Sequence, residues 1–413
     1  MRVVLPYGET GLELELPGDA EVIEPRPVPG VTDEPGTILQ ALRSASPSLL
    51  ELLRPGDDVC VVVPDITRPA PTRQVVSCLR ELASQVSGSR LWFLIGTGLH
   101  RPCTPAEIET ILGPGVPGVN HNARDQDSLS LVGHTSAGIP VWLNRRYLEA
   151  DRRVSVSLLE PHFFAGFSGG PKAIVPGVAG RETILGIHSA RLIGDPSTTW
   201  AKLDGNPVQA AIREACGMAP PDFSINVSIN REREITGVFA GEVGEAHRRG
   251  CAFLHDLAMV PVARPADIVV TTNGGWPLDQ NLYQTVKGLS AAARITEPGG
   301  CIVAAAECRY GFPPGNFEDL LRAARTPAEL IRQLRSLPDT VEDQWEAQVL
   351  GQILERATVF LLSRLEPAAA RAAFLHPVGS IQQGLDRARE LRGNTARVAV
   401  LPQGPFTVPY LQA

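Results

Sequence analysis

The chain has 413 residues, 43% of them hydrophobic and 20% charged, with a formal net charge of −7 from 38 basic and 45 acidic side chains. That balance excludes disorder as the main state and predicts about two or three domains with ample chain for a buried core. No block of five like charges occurs, which argues against a nucleic-acid tail, and an anionic ligand would need a local cationic pocket.

In chain order, the alternation of apolar and polar residues around Tyr7-Gly8 predicts a hairpin. Strands are expected at 59–64 (VCVVVP), 90–96 (RLWFLIG) and 153–158 (VSVSLL), and near 223–228 and 235–240. Helices are expected at 71–86, from Thr104 with Glu107 as a capping box, and at 181–193, 207–216 and 242–257. A second series starts at 267 (DIVVTT). It continues through helix 279–293, strand 301–306, helices near 317–335 and 340–356, strand 358–363, helix 379–392 and strand 397–402. The alternation predicts an α/β protein of two domains with largely parallel sheets flanked by helices. The segment VARPAD at 262–267 is the expected linker, giving domains 1–265 and 266–413, with the last residues packing back on the first.

Seven cysteines (Cys60, Cys78, Cys103, Cys216, Cys251, Cys301 and Cys308) stand singly, odd in number and with no C-x-x-C pair. Neither a disulfide framework nor a structural zinc site is expected. The start, MRVVLPYGETGLELELP, lacks the apolar core of a signal peptide, and no run of about 18 apolar residues could span a membrane. The expectation is a soluble cytoplasmic protein.

Ligands of open α/β sheets bind beyond the carboxyl ends of the strands. After 59–64 comes Asp65-Ile66-Thr67-Arg68-Pro69, and after 90–96 comes Thr97-Gly98-Leu99-His100-Arg101-Pro102. After 153–158 come Glu160-Pro161-His162 and a Gly-rich segment with Lys172, and after 267–272 comes Asn273-Gly274-Gly275. Position alone is as compatible with ordinary polar turns as with a site. The segment AGFSGGPKAIVPG (165–177) has small residues that would let backbone N–H groups approach an anion. It is not a P-loop, since Pro171 precedes Lys172 and Ala173 follows it, and taken alone it reads as a flexible loop. Tyr283 and Lys287 share a helix face with Gln284 beside them, an arrangement that could clamp a carboxylate or simply be a solvated face. His188 lies in a helical pattern, where a surface or core histidine is the plain reading, and His121, His134, His247, His255 and His376 carry no motif.

Taken together, DITRPAP (65–71), GTGLHRP (96–102), PHFFAGFSGGPKAIVPG (161–177), ILGIHSA (184–190) and NGGWPLDQNLYQTVKG (273–288) form a set of ordered motifs. In order and spacing this set resembles the nickel-dependent lactate racemase (LarA-like) family of 2-hydroxyacid racemases and epimerases. The resemblance implies a nickel-pincer nucleotide, a pyridinium mononucleotide with two sulfur-containing arms that bind nickel through carbon and sulfur. It implies that Lys172 forms a thioamide with one arm and that His188 completes the nickel coordination. His100 and His162 become the acid/base pair, and Asp65, Arg68, Ser168, Gly169 and Gly170 fall at the cofactor. Arg68, Tyr283, Gln284 and Lys287, and more loosely Trp345 in EDQWEAQ, fall at the substrate. The implied site lies in the cleft between the domains, and maturation requires cofactor-synthesis proteins.

These residue types suit the implied chemistry. A 2-hydroxyacid has a very weakly acidic Cα–H, so oxidation to a 2-ketoacid and return of hydride to the other face avoids a carbanion. Each stereoisomer presents its hydroxyl from a different side, which calls for two bases, and histidine titrates near working pH. Arg and Lys offset the carboxylate. A racemase of a lactate- or malate-like acid is the first expectation. An epimerase of a larger hydroxyacid such as a sugar acid, and a non-catalytic binder of an anionic ligand, are the alternatives. A zinc hydrolase is disfavoured by the lack of H-E-x-x-H. Trp276, in GGWPLD, bears on pocket size, and Cys308 is read as a buried thiol rather than a cleft residue.

Overall fold

The computed structural model describes residues 2–16, 18 and 20–412. They form two compact units, one made of Pro27–His188 and Ser197–Asp256, the other of the chain up to Arg26, Ser189–Pro196 and the chain from Leu257 onward.

The first unit is built on a six-stranded sheet in the order Ile235–Gly241, Phe223–Ile229, Arg152–Leu158, Asp58–Pro64, Arg90–Gly96, Gly118–Asn120. All neighbours are parallel except the edge pair of Phe223–Ile229 with Ile235–Gly241. The Val-rich run at 59–63 is buried throughout because both faces of this central strand are covered. On one face Val59, Val61, Val63, Val154, Val156, Ile225 and Val227 pack against the apolar sides of helices Glu34–Ser44 and Thr72–Ala83, including Ile38, Leu42, Val75 and Leu79. Thr104 caps helix Pro105–Leu112 in a reciprocal box with Glu107, as its spacing predicts.

The other face is polar where the Gly-rich segment covers it. Ser155 donates to Ser224 Oγ at 3.1 Å, and Asn226 Oδ1 accepts from Gly170 N–H at 2.7 Å. Far from being a flexible loop, residues 163–171 are all buried. They contain the two-residue pairing of Pro161–His162 with Gly166–Phe167 and a short 3₁₀ turn, Gly170–Ala173.

The second unit has a parallel sheet in the order His376–Pro377, Ala357–Leu362, Thr296–Ala305, Ala266–Thr272, Val398–Leu401, Glu21–Val22. Helices Leu282–Ala293, Pro327–Ser336 and Gln344–Leu354 cover one face through Leu282, Val286, Leu289, Leu330 and Leu350. The N-terminal hairpin, Arg2–Tyr7 with Thr10–Glu15, covers the other together with helix Ile381–Arg392.

This division differs from a single cut near 265. The buried side of the hairpin (Leu5, Leu14) packs on Ile268, Val270 and Val303, so the first 26 residues belong with the later sheet. The last strand, Val408–Leu411, does return to residues before 265, pairing with Met259–Val262, but both strands lie in the second unit. Two expected helices are each divided. Residues 181–193 become Arg181–Ile187 and Ala190–Ile193, broken at His188, and 317–335 becomes Phe317–Arg322 and Pro327–Ser336, the second opened by a Thr326 cap and Pro327. The antiparallel pair Leu129–His134 and Pro140–Asn144 was not expected from the sequence.

Two histidines without motifs fix loops in the first unit. His121 Nε2 donates to the Ala179 carbonyl at 2.8 Å while Nδ1 accepts from Asn144. His247 Nε2 donates to the Ser168 carbonyl at 2.9 Å. Burial pushes both down to about 4. An unfolded histidine titrates near 6.5, so between these values the unfolded chain binds protons that the folded chain refuses. Their contribution is complete above about pH 6.5 and is lost as pH falls toward 4, by up to about 3 kcal/mol per group. Urea midpoints are expected to fall across that window, and His121→Gln is expected to flatten the fall by about one proton.

Candidate active site

The register of the first sheet sets the stage. Pro64 pairs with Gly96 and Val62 with Ser155, so the chain leaves three adjacent strands at one edge. From the central strand emerges Asp65, only 4% exposed. Its Oδ2 lies 2.7 Å from His100 Nδ1, and its Oδ1 accepts from Thr67 N–H at 3.0 Å and Thr67 Oγ1 at 2.5 Å. Burial works against its charge, but the hydrogen bond and charge of His100, Thr67 and the Arg68 cation outweigh it and hold the carboxyl below its ordinary value. The His100 side chain is 56% exposed. Its loop is held by His100 N–H to the Thr97 carbonyl and by Gly98 N–H to the Gly177 carbonyl, which ties it to the end of the Gly-rich segment.

Arg68 reaches the neighbouring strand end, where its guanidinium donates to Glu160 Oε1 at 2.8 Å. Glu160 and Ser168 are joined in turn. Glu160 N–H donates to Ser168 Oγ, Ser168 N–H donates to the Glu160 carbonyl, and Ser168 Oγ donates to the Leu158 carbonyl. The N–H of Gly170 is occupied by Asn226, and that of Lys172 by the Gly169 carbonyl. The polar groups of Ser168 and Gly170 are thus engaged in shaping the segment.

His162 is buried beside the Phe163 and Phe164 rings, with Nδ1 accepting from Ala165 N–H at 3.3 Å and, more weakly, Phe164 N–H at 3.5 Å. Phe164 is the hub. Its ring meets His162 edge-on at 4.4 Å and His188 edge-on at 5.3 Å, and the Lys172 ammonium lies 5.4 Å from its centroid. His188 ends helix Arg181–Ile187 and donates from Nδ1 to the Ile184 carbonyl at 2.7 Å. That bond fixes the neutral tautomer with its lone pair on Nε2. Burial lowers His188 to about 4; its bond to Ile184 opposes that shift, and the nearby Lys172 charge adds to it.

In the second unit the helix bearing Tyr283, Gln284 and Lys287 starts at Leu282, because the Asn281 side chain caps Gln284 N–H. Lys287 Nζ donates to Gln284 Oε1 at 2.7 Å, and Trp345 Nε1 donates to the Tyr283 hydroxyl at 2.9 Å. Beside Trp345, Glu346 is 1% exposed. Burial raises its carboxyl, the Lys287 ammonium pulls the other way, Asp343 adds to the rise, and the net is above the ordinary range. Cys308 is 1% exposed with its thiol pushed up to about 12, the buried thiol expected. Trp276 stacks under the Arg309 guanidinium at 4.6 Å.

Sequence reasoning missed Glu160, Phe164, Thr67 and Glu346. Each lies within two residues of a candidate. Thr67 bonds Asp65 two positions back, an Asx-type turn the spacing could have shown, whereas Glu160, Phe164 and Glu346 meet partners on other elements that spacing does not reveal. Among the described residues no three His, Cys, Asp or Glu side chains gather as a metal cage. Nor is any helix of these residues long and apolar enough to cross a membrane.

The first unit thus carries a carboxylate–histidine pair, Asp65 with His100, beyond its strand ends, and gathers His162, His188 and Lys172 around the Phe164 ring. Two family models match the chain, the lactate racemase N-terminal domain over residues 7–201 and the lactate racemase C-terminal domain over residues 262–408. The chain belongs to the lactate racemase family. It is 32% identical to a lactate racemase from Thermoanaerobacterium thermosaccharolyticum over 98% of both chains. It is 34% identical to one from Lactiplantibacillus plantarum over 87% of this chain and 86% of that one. Its fold superposes on the solved apoprotein of the Thermoanaerobacterium enzyme with a TM-score of 0.95 at 31% identity, covering 99% of this chain and all of the other. A Thermotoga maritima protein shares the fold alone, with a TM-score of 0.71 at 20% identity.

Gly166 has φ +75°, and a Cβ there would collide with the Lys202 carbonyl oxygen. Gly166→Ala is expected to cost at least about 2 kcal/mol in urea unfolding, through backbone strain and overpacking, and to shift the His162 ring resonances, since His162 pairs with Gly166.

Proposed function

We propose that the chain is a nickel-pincer-nucleotide-dependent isomerase that racemises a small 2-hydroxyacid, lactate- or malate-like, through a 2-ketoacid. The observation that carries this reading is the grouping around Phe164 in a chain of the lactate racemase family: the His162 ring, the Lys172 amine and the His188 imidazole with its lone pair on Nε2.

The residues fit the cofactor. Lys172, half-buried on the 3₁₀ turn Gly170–Ala173, is the amine for covalent attachment, and His188 Nε2 is the donor for nickel. A single imidazole does not cage a metal, so the other donors belong to the nucleotide. Ser168, Gly169 and Gly170 build the turn that presents Lys172. The nickel-pincer nucleotide, when bound, supplies the acceptor for the hydride that leaves Cα.

The chain supplies the rest. His100 takes or returns the hydroxyl proton of one enantiomer and His162 that of the other. Arg68 and Lys287 offset the substrate carboxylate, with the Tyr283 hydroxyl, steadied by Trp345, and the Gln284 amide as orienting partners. The buried Phe163 and Phe164 keep water from His162. Seven free, buried cysteines favour a reducing cytoplasm, and proteins of cofactor synthesis are the maturation partners.

The test is to produce the protein with the cofactor-synthesis machinery, weigh the Lys172 peptide, quantify nickel and follow lactate racemisation by chiral chromatography. Loaded protein is expected to carry near-stoichiometric nickel with an added mass on Lys172. His100→Ala and His162→Ala are each expected to lower racemisation by about 10²–10⁴-fold with nickel retained. Full activity in either would overturn the two-base reading. His188→Ala is expected to lose nickel, and normal nickel content would remove it as a ligand.

A further inference from the structure

We propose that Asp65 is the positioning residue that locks His100 with its proton on Nδ1 and its lone pair on Nε2, and that Thr67 makes that choice unambiguous.

The argument is one of donors and acceptors. Asp65 is 4% exposed and its carboxyl lies below the ordinary range, so it is an acceptor only. At 2.7 Å from Asp65 Oδ2, His100 Nδ1 must therefore be the donor, and neutral His100 holds its lone pair at Nε2. Oδ1 is taken by two donors of Thr67, the backbone N–H at 3.0 Å and the hydroxyl at 2.5 Å. Oδ1 is thus filled and Oδ2 is directed at His100, the geometry of a carboxylate that acts through the imidazole. The same geometry decides what an amide would do at this position. In Asp65→Asn the Thr67 donors select the amide oxygen, which leaves the amide N–H₂ facing His100. The imidazole must then accept at Nδ1 and carry its proton on Nε2, where it is no base. Shape is conserved while the tautomer reverses.

His162 is supported differently: backbone N–H groups directed at Nδ1, at 3.3 and 3.5 Å, put the proton of its neutral ring on Nε2 in the unloaded chain, and its turn as a base requires those weak bonds to give way. An Asp65 substitution therefore alters one histidine of the pair and leaves the other.

The catalytic meaning of this inference rests on the racemase reading, while the tautomer does not. The first measurement is long-range ¹H–¹⁵N NMR of the histidine rings in unloaded full-length protein, at a pH where His100 is neutral. Wild type is expected to show Nδ1 protonated and Nε2 bare in His100, and Asp65→Asn the reverse, with His162 unchanged. A bare Nδ1 in wild-type His100, which needs no variant to observe, would overturn the proposal, as would an unchanged His100 tautomer in folded Asp65→Asn. In loaded enzyme, Asp65→Asn is expected to lose about 10³–10⁴-fold in kcat with little change in KM. Its nickel and Lys172 adduct should stay at wild-type levels. Because enantiomers have equal free energy, kcat/KM must fall by the same factor from either one. Loss of nickel would make Asp65 a cofactor residue, and full activity would remove it from the mechanism. A loaded wild type that racemises no 2-hydroxyacid would defeat the functional reading while leaving the NMR result to stand or fall by itself.

Discussion

The hydrogen bond from Gly170 N–H to Asn226 Oδ1, 2.7 Å long and buried, is the contact on which the first unit's site depends. A parallel sheet covered on both faces normally shows continuous apolar strands. Here the strands Arg152–Leu158 and Phe223–Ile229 carry Ser155, Ser157, Ser224 and Asn226 on the side away from the Val-rich core. Buried polar groups need partners, and backbone of the Gly-rich segment supplies one to Asn226. A segment with a Cβ at 170 could not approach so closely, because the His247 ring stands where that atom would sit. Once the segment is seated, Lys172 has its place on the 3₁₀ turn, and Phe164 sets the spacing of His162 and His188 around its ring.

Much of the fold was legible. The Val-rich run at 59–63 and the alternation of strand and helix fixed the class, and the Thr104/Glu107 box located a helix start to the residue. The hairpin at Tyr7-Gly8 was legible as a hairpin but not by address. Its alternation says that one side is buried and is silent about the sheet 260 residues later that buries it. The Gly-rich segment misled in the opposite sense. Glycine and serine suggest flexibility when no partner is visible, and here their smallness serves close approach to a polar sheet face. The break at His188 was hidden because ILGIHSARLI is helical by period throughout. The chain leaves the helix at Ser189, which is extended (φ −59°, ψ 149°), while the His188 ring and its backbone N–H both donate to the Ile184 carbonyl four residues back.

Within the candidate site, residue types were legible and pairings were not. Asp65 and His100 stand 35 positions apart, yet Pro64 lies opposite Gly96 in the sheet, which brings the two loops together. Glu160 shares that logic, since its strand neighbours the one that delivers Arg68. A reading along one chain leaves each of these residues open between a ligand and an ordinary turn or solvated face, because it does not show which distant side chain each will meet. The folded chain assigns Asp65 to His100, Glu160 to Arg68 and Gln284 to Lys287.

That pattern bears on how a protein of net charge −7 can hold an anion. Two cations proposed for the substrate are each met by an acceptor within their own unit: Arg68 by Glu160, and Lys287 by Gln284 with Glu346 nearby. An isolated cation would attract a carboxylate strongly but hold it loosely, its long side chain still free to reorient. A cation already oriented by a protein acceptor has lost that freedom before the ligand arrives, and the remaining donors of a planar guanidinium keep a fixed direction. Glu160 accepts at one terminal nitrogen of Arg68, and the arginine fork has five donors in all. The flanking carboxylate thus lowers the gross attraction for an anion while raising the precision with which it is placed. In the proposed racemisation a proton is taken from a hydroxyl on either face of one carbon, so placement of the substrate contributes directly to the rate, and cations already paired within the chain favour that placement.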